Sequence, residues 1–297
     1  MGGQLWTSQI TGYRRRGTRL TELRSILGSG ITALAIREPL RSCPADAPAK
    51  EMKILLKKRD YDVAGVKDTE VGAVIGFVKR EPLDKSYVRD HLEPITAENL
   101  VSEATPLPQL LTTLRDKEFT FVLVGSEVNG IVTRADLNKP PVRVYLFGLI
   151  SLLEMHLSFW VRSEYRDNSW QNKLKKERLE GAKSLFAQRK KRNQEIILFE
   201  CLQFCDKRDL ILDIQKLRNQ LNLGSKKKAH SLLTKAEELR NKIAHSQEDL
   251  VQGTSWPKLI DLVAQIESVV AKSDQEVEEI AKSVCRDDGD GLWDILC

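Results

Sequence analysis

Thr120-Phe121-Val122-Leu123-Val124, followed closely by Val128-Asn129-Gly130-Ile131-Val132-Thr133, is the stretch that decides how the first half of this chain is read. Both runs are rich in β-branched and aromatic residues, so they read as strand, turn, strand. A helical stretch, Pro106 to Leu114, precedes them. An earlier stretch lays over the same pattern: Ala49 to Lys57 is helical, Asp62-Val63-Ala64-Gly65-Val66 follows, and then Val71 to Val78, VGAVIGFV. Each unit is therefore helix, strand, turn, strand, with a glycine (Gly76, Gly130) before the end of the last strand. Strand-rich pieces of this length cannot bury two faces alone, so the two units are expected to pack against each other.

Outward from the repeat, β-rich and helical runs alternate from Ala33 to about Asn138, whereas from Val142 onward the pattern is helical almost throughout. Pro140 and Pro141 mark the change and predict an extended link with the domain boundary on it. The expected organisation is an arm (1–32), a β-α pair (33–140), an all-α bundle (141–284) and an acidic tail (285–297), an α+β chain. Glycine and arginine in the arm suggest a loose or dimer-crossing segment. With 297 residues, 41% hydrophobic and 30% charged, the chain has material for two modest cores.

The stretch Val142 to Val161 is apolar nearly all round, which predicts a central helix. It has membrane length but contains Glu154 and His156, so a buried core helix without a membrane is the cheaper reading. Ala229, Leu232, Leu233, Ala236, Leu239 and Ile243 recur at helical spacing, as do Leu259, Leu262, Val263, Ile266 and Val270. Ser255 before Trp256 and Pro257 is a sensible start for the last long helix. Four or five packed helices are the simplest architecture.

A formal charge of +5 is too mild to identify a nucleic-acid binder, so its distribution matters. From Asn172 to Arg192 there are nine Lys or Arg against two Glu, and Lys226-Lys227-Lys228 adds a second patch. Such runs are ordinarily solvated faces, but their sum would attract a phosphate backbone through counterion release. The tail from Asp274 holds eight acids and two bases. It would shield the basic surface, dock on a partner, or simply fray. Cys43, Cys201, Cys205, Cys285 and Cys297 are scattered and without histidines at zinc spacing, which predicts free thiols in a reducing cytoplasm and no metal centre. The N-terminus carries Arg14-Arg15-Arg16 but no secretory pattern, and Trp6 stands where a myristoylation signal wants Ser or Thr.

The repeat, together with Gly130-Ile131-Val132-Thr133-Arg134-Ala135-Asp136, resembles a tandem pair of CBS domains, the adenosine-ligand sensing module, over residues 33 to 138. The resemblance implies that Asp136 accepts hydrogen bonds from ribose hydroxyls, that Thr133 meets a phosphate, and that Thr105 borders the nucleotide. A carboxylate can take two hydroxyl donors at once, and a hydroxyl at a helix start helps N–H groups hold an anion. The ligand would be AMP, ATP or a related adenosine compound. Lys79 and Pro82 stand where the first unit should carry Thr and Asp, so one ribose site at most is expected. Thr133 and Asp136 would equally serve to cap the helix after the strand.

Leu239-Arg240-Asn241-Lys242-Ile243-Ala244-His245-Ser246 closes the penultimate long helix. Leu217-Arg218-Asn219 repeats its first half but has no His five residues after Arg218. This motif and the apolar helix before it resemble a HEPN domain over residues 143 to 284, the helical family whose Arg-polar-x-x-x-His signature cleaves RNA. The resemblance names Arg240, Asn241 and His245. His245 would act as general base or acid on ribose and phosphate oxygens, Arg240 would hold the developing phosphorane charge, and Asn241 would orient the His or the substrate. No metal or other catalytic cofactor is called for, and 2′,3′-cyclic phosphate and 5′-hydroxyl ends are implied. Five residues are about 500° of helix, so Arg240 and His245 do not stack on one face. The resemblance implies that a homodimer brings two such pairs to one cleft. A helix end with a His favouring the macrodipole and a solvated Arg is the alternative. The expected function is a toxin- or defence-like endoribonuclease with an adenosine sensor. The rivals are a non-catalytic RNA, nucleotide or protein-binding module and a structural interaction protein.

Overall fold

The computed structural model describes residues 19–68, 72–165, 167–245 and 249–287. It divides into two compact units, one of residues 26–144 with 255–260, the other of the residues up to 25, 145–254 and those from 261 onward. The sequence expectations for residues 1–18, Val71, Ser246 and the tail from residue 288 concern residues outside those described.

The described chain opens on α1 (Leu20–Leu23), which belongs to the helical unit. The β-containing unit follows with α2 (Ala33–Ile36), β1 (Glu38–Pro39), β2 (Ser42–Pro44), α3 (Ala49–Lys58), β3 (Val63–Lys67), β4 (Val74–Lys79), β5 (Leu100–Ser102), α4 (Leu107–Asp116), β6 (Phe119–Val124) and β7 (Glu127–Thr133). Both repeats are present, and each has one strand more than the sequence pattern suggests. β2 pairs in parallel with β3, and β5 in parallel with β6, so each unit is strand, helix, strand, strand. Three residues are too few to display an alternation, and these strands are defined by their partners across a helical crossover.

The sheets run β2-β3-β4 and β1-β7-β6-β5. α4 buries Leu107, Leu110, Leu111 and Leu114, a single helical stripe. α3 buries Ala49 and Leu56 against Val66, Val78, Leu83 and Val88. The two repeats meet where Phe77 of β4 packs against Phe119 and Phe121 of β6, with ring centroids 5.9 and 4.9 Å away. That contact buries the sheet faces neither repeat could cover alone.

Gly76 and Gly130 hold their places for a steric reason. A Cβ on Gly76 would stand 2.7 Å from the Glu93 carbonyl oxygen and 2.6 Å from Leu92 Cδ1, and one on Gly130 would stand 2.8 Å from Arg37 Cδ. The Glu93 carbonyl cannot swing away, because it accepts the Phe77 N–H at 2.9 Å. Gly76→Ala is therefore expected to cost about 1–3 kcal/mol by urea unfolding. A neutral outcome would show that the 92–93 segment yields freely.

The helical unit comprises α5 (Pro140–Glu164), α6 (Lys176–Lys191), α7 (Phe204–Asp213), α8 (Gln215–Gln220), α9 (Lys226–Ala244) and α10 (Trp256–Asp287), with α5 and α10 each beginning among residues of the other unit. Pro140 and Pro141 do not form the expected extended link. They are the first two residues of α5, where the N–H groups have no partner in the helix and proline forfeits nothing. The division between compact units falls after Val144. α5 buries Leu149, Ile150, Leu153, Leu157 and Val161, as its all-round apolar pattern predicts. By length and composition it would also suit a membrane crossing, and 56% of its most apolar window is buried in the protein.

The end of the expected arm is not loose. Leu20 is buried, its N–H donates to Asp274 Oδ2 at 2.9 Å, and Arg24 pairs with Glu267 at 2.6 Å, all within the helical unit. α10 continues to Asp287, past the point where the acidic tail was expected to begin.

Candidate functional site

α9 starts at Ser225, whose Oγ accepts the Lys228 N–H, and buries Ala229, Leu233, Ala236 and Leu239 as one stripe. The stripe sets the azimuth of the residues that follow. Arg240, one residue past Leu239, stands at the edge of the buried face with 40% of its side chain exposed. Its Nε lies 3.7 Å from Glu154 Oε2 on α5. The other oxygen of Glu154 accepts from Lys207 Nζ of α7 at 2.8 Å. Asn241 and His245 are exposed. His245 is the residue at which the helix ends, with φ −96° and ψ 94°, and its N–H donates to the Asn241 carbonyl at 3.3 Å. Arg240, Asn241 and His245 thus share the exposed end of one helix. The contact between Asn241 and His245 is through the backbone.

Lys207 is the participant that sequence patterning missed. Cys205, Asp206 and Lys207 are all buried at the start of α7, and charges inside an apolar run (Phe204 to Leu212) are the signal that could have pointed to it. Glu154 and His156 of the apolar stretch have different partners. Nδ1 of His156 lies 2.5 Å from Ser273 Oγ, which also accepts from Trp160 Nε1–H at 2.6 Å, and Nε2 lies 3.4 Å from Asp274 Oδ1. Serine, histidine and aspartate in contact invite comparison with a nucleophilic triad. Here Ser273 is 0% and His156 1% exposed, so no substrate reaches the hydroxyl, and the group ties α5 to α10.

Burial pushes the His156 imidazole down to about 3 and the Asp274 carboxyl up to about 6. These act on stability with opposite signs. His156 binds its proton less readily folded than unfolded, so its contribution is whole above the ordinary value of 6.5 and is lost on acidification toward 3. Asp274 binds its proton more readily folded, so its contribution is whole below 3.8 and lost as pH rises through 6. Between about pH 6 and 4 the two should offset each other. Asp274→Asn removes one side of that balance, so its unfolding free energy should fall more steeply with acid than the wild type's over this range. Equal slopes would mean the carboxyl does not titrate there.

The buried thiols are poor nucleophiles. Desolvation pushes Cys43 up to about 11 and raises Cys205 and Cys201, and the thiolate is the reactive form. Cys43, Cys201 and Cys205 are free. Among the described residues no three His, Cys, Asp or Glu side chains converge as a metal site.

The basic run falls on α6, a helix with only Ala182 buried. Lys183 pairs with Glu180, Arg178 with Asp206, and Lys190 lies 5.7 Å from the centre of the Phe186 ring. Lys226 of the second patch pairs with Asp213.

In the β-containing unit, Thr133 and Asp136 meet at the start of the 3-10 turn Arg134–Asn138. Asp136 Oδ2 accepts from the Thr133 N–H at 2.7 Å and from Thr133 Oγ1 at 2.9 Å, while Oδ1 pairs with Lys139 Nζ at 2.9 Å. Lys139 is held in turn by Glu38 at 2.5 Å and by the Ile36 carbonyl at 2.6 Å. Thr105 is buried nearby in sequence to α4. Its N–H donates to Ser102 and its carbonyl accepts from Ala33, both at 2.9 Å.

The sequence matches no protein-family model and no curated protein. Among solved structures, the chain is similar to the CBS domain of a bacterial CNNM/CorC family Mg2+ transporter, at 16% identity over 40% of this chain and 79% of that one, with a TM-score of 0.33. The likeness is to CBS modules. The same transporter domain in complex with ATP compares at 18% identity over 38% of this chain and 88% of that one, TM-score 0.32. The CBS domains of a transcriptional regulator from Streptococcus pneumoniae compare at 17% over 36% and 96%, TM-score 0.31.

Proposed function

We propose that the chain is a metal-independent endoribonuclease, acting as a homodimer in the cytoplasm under the control of an adenosine-containing nucleotide. The observation that carries the catalytic half is the end of α9. An exposed His245 and a guanidinium 3.7 Å from Glu154 lie five residues apart at the end of a helix whose other face is packed in the core. The pair supplies a proton carrier and an oxyanion holder, which is what transfer of a phosphoryl group to a neighbouring 2′-hydroxyl requires. One chain supplies a single pair, and a two-fold dimer would supply acid and base together. The basic α6 would hold the RNA backbone.

The nucleotide would bind the β-containing unit at Thr133 and Asp136. Both oxygens of the Asp136 carboxylate already have donors, so a ribose would have to share that carboxylate with Lys139 or displace it. Binding can regulate cleavage only if the nucleotide favours one state of the protein over another.

The test is incubation of the purified protein with total RNA in EDTA, with and without AMP or ATP. Cleavage that persists in EDTA supports the proposal. Binding of RNA without cleavage under every condition favours a non-catalytic module. Nucleotide binding is read separately as a thermal shift, which Asp136→Ala should abolish. An unchanged shift removes Asp136 from the site.

A further inference from the structure

Glu154 sits between two cations of unlike exposure. Lys207, 9% exposed at its side chain, donates to Oε1 at 2.8 Å, and Arg240, 40% exposed, brings Nε to 3.7 Å from Oε2. Glu154 itself is 21% exposed. A partly buried carboxylate is steadied by a fixed cation, and Lys207 supplies one from a buried position. That bond holds the carboxylate still. Its second oxygen then faces the inner edge of the Arg240 guanidinium, the edge carrying Nε. The approach to Glu154 is through Nε, and a guanidinium met on that edge can offer its terminal nitrogens to an oxyanion. An arginine exposed to this degree would otherwise spread over many rotamers, and an oxyanion holder is effective only when its donors are already in place.

We propose that Glu154, held by Lys207, is a positioning residue that aims the terminal nitrogens of Arg240 at a substrate phosphate. The assignment rests on the ribonuclease reading and deepens it. Glu154 touches no reacting atom. It acts through Arg240, and Lys207 acts through Glu154.

The experiment is a double-mutant cycle on the full chain. Glu154→Gln is combined with Arg240→Ala, and the neutral pair Glu154→Gln with Lys207→Met is made alongside, so that no lone buried charge is left to unfold the protein. Expected for Glu154→Gln and for the neutral pair is a loss in kcat of roughly 10- to 100-fold with KM little changed. In the Arg240→Ala background the same change should have almost no further effect. Effects of Glu154→Gln that multiply with those of Arg240→Ala, or a change confined to the thermal midpoint, would overturn the proposal. If the wild type cleaves no RNA, the ribonuclease reading fails, and the same cycle is read as affinity for a 2′-O-methyl RNA. There, coupling of about threefold or more between positions 154 and 240 supports the positioning role, and independent effects overturn it.

Discussion

Arg240→Ala is expected to lower RNA cleavage by roughly 10²- to 10³-fold and His245→Ala by roughly 10²- to 10⁴-fold, in EDTA and with the folded state intact. The reason the fold should survive lies in where the side chains are. His245 and Asn241 are exposed, and Arg240 is 40% exposed, so removing them opens no cavity in the core. Both variants should keep the wild type's helical circular dichroism and urea midpoint to within a small shift. Arg240→Lys is a sharper probe. It keeps the charge but loses the planar fork, and should recover only a minor part of the rate. Cleavage per protomer should also rise with protein concentration through the dimerisation range, because one pair is short of a full acid–base set. Full activity of His245→Ala would end the case for this motif, whatever the protein does to RNA.

Ser273→Ala should be among the most damaging small changes in the helical unit, at about 2–5 kcal/mol by urea unfolding. One hydroxyl serves two buried rings, accepting from Trp160 Nε1–H and meeting His156 Nδ1, and its loss takes that partner from both ring nitrogens where Ser273 is 0% exposed. The penalty comes from the ring nitrogens left behind rather than from the lost oxygen. The cost of Ser273→Ala together with Trp160→Phe should therefore fall short of the sum of the two by about 1 kcal/mol or more. Additive costs would mean the hydroxyl is not the shared partner.

The two effects contrast in kind. The end of α9 is free to carry chemistry because its side chains contribute little to packing. The Trp160–Ser273–His156–Asp274 group carries residue types used in catalysis, yet burial reserves it for holding α5, α10 and the Leu20 segment together.

Much of this was legible in the sequence because it is local. The hydrophobic period along α9, the all-round apolar α5, both β-hairpins and the repeat between them follow from residue spacing, which acts through neighbours in the chain. The position of Arg240 beside the buried stripe follows from the same spacing. What tertiary structure alone decided involves partners far apart in sequence. β2 and β5, with three residues each, are strands only because β3 and β6 lie beside them. Pro140 and Pro141 could end one element or begin another, and the helix they begin is placed by its burial. The helical spacing puts Glu154 and His156 on opposite faces of α5 but does not say what either meets. Packing set Glu154 between Lys207 and Arg240, because a carboxylate leaving water is placed by the cations within reach, and only the fold brings those cations near.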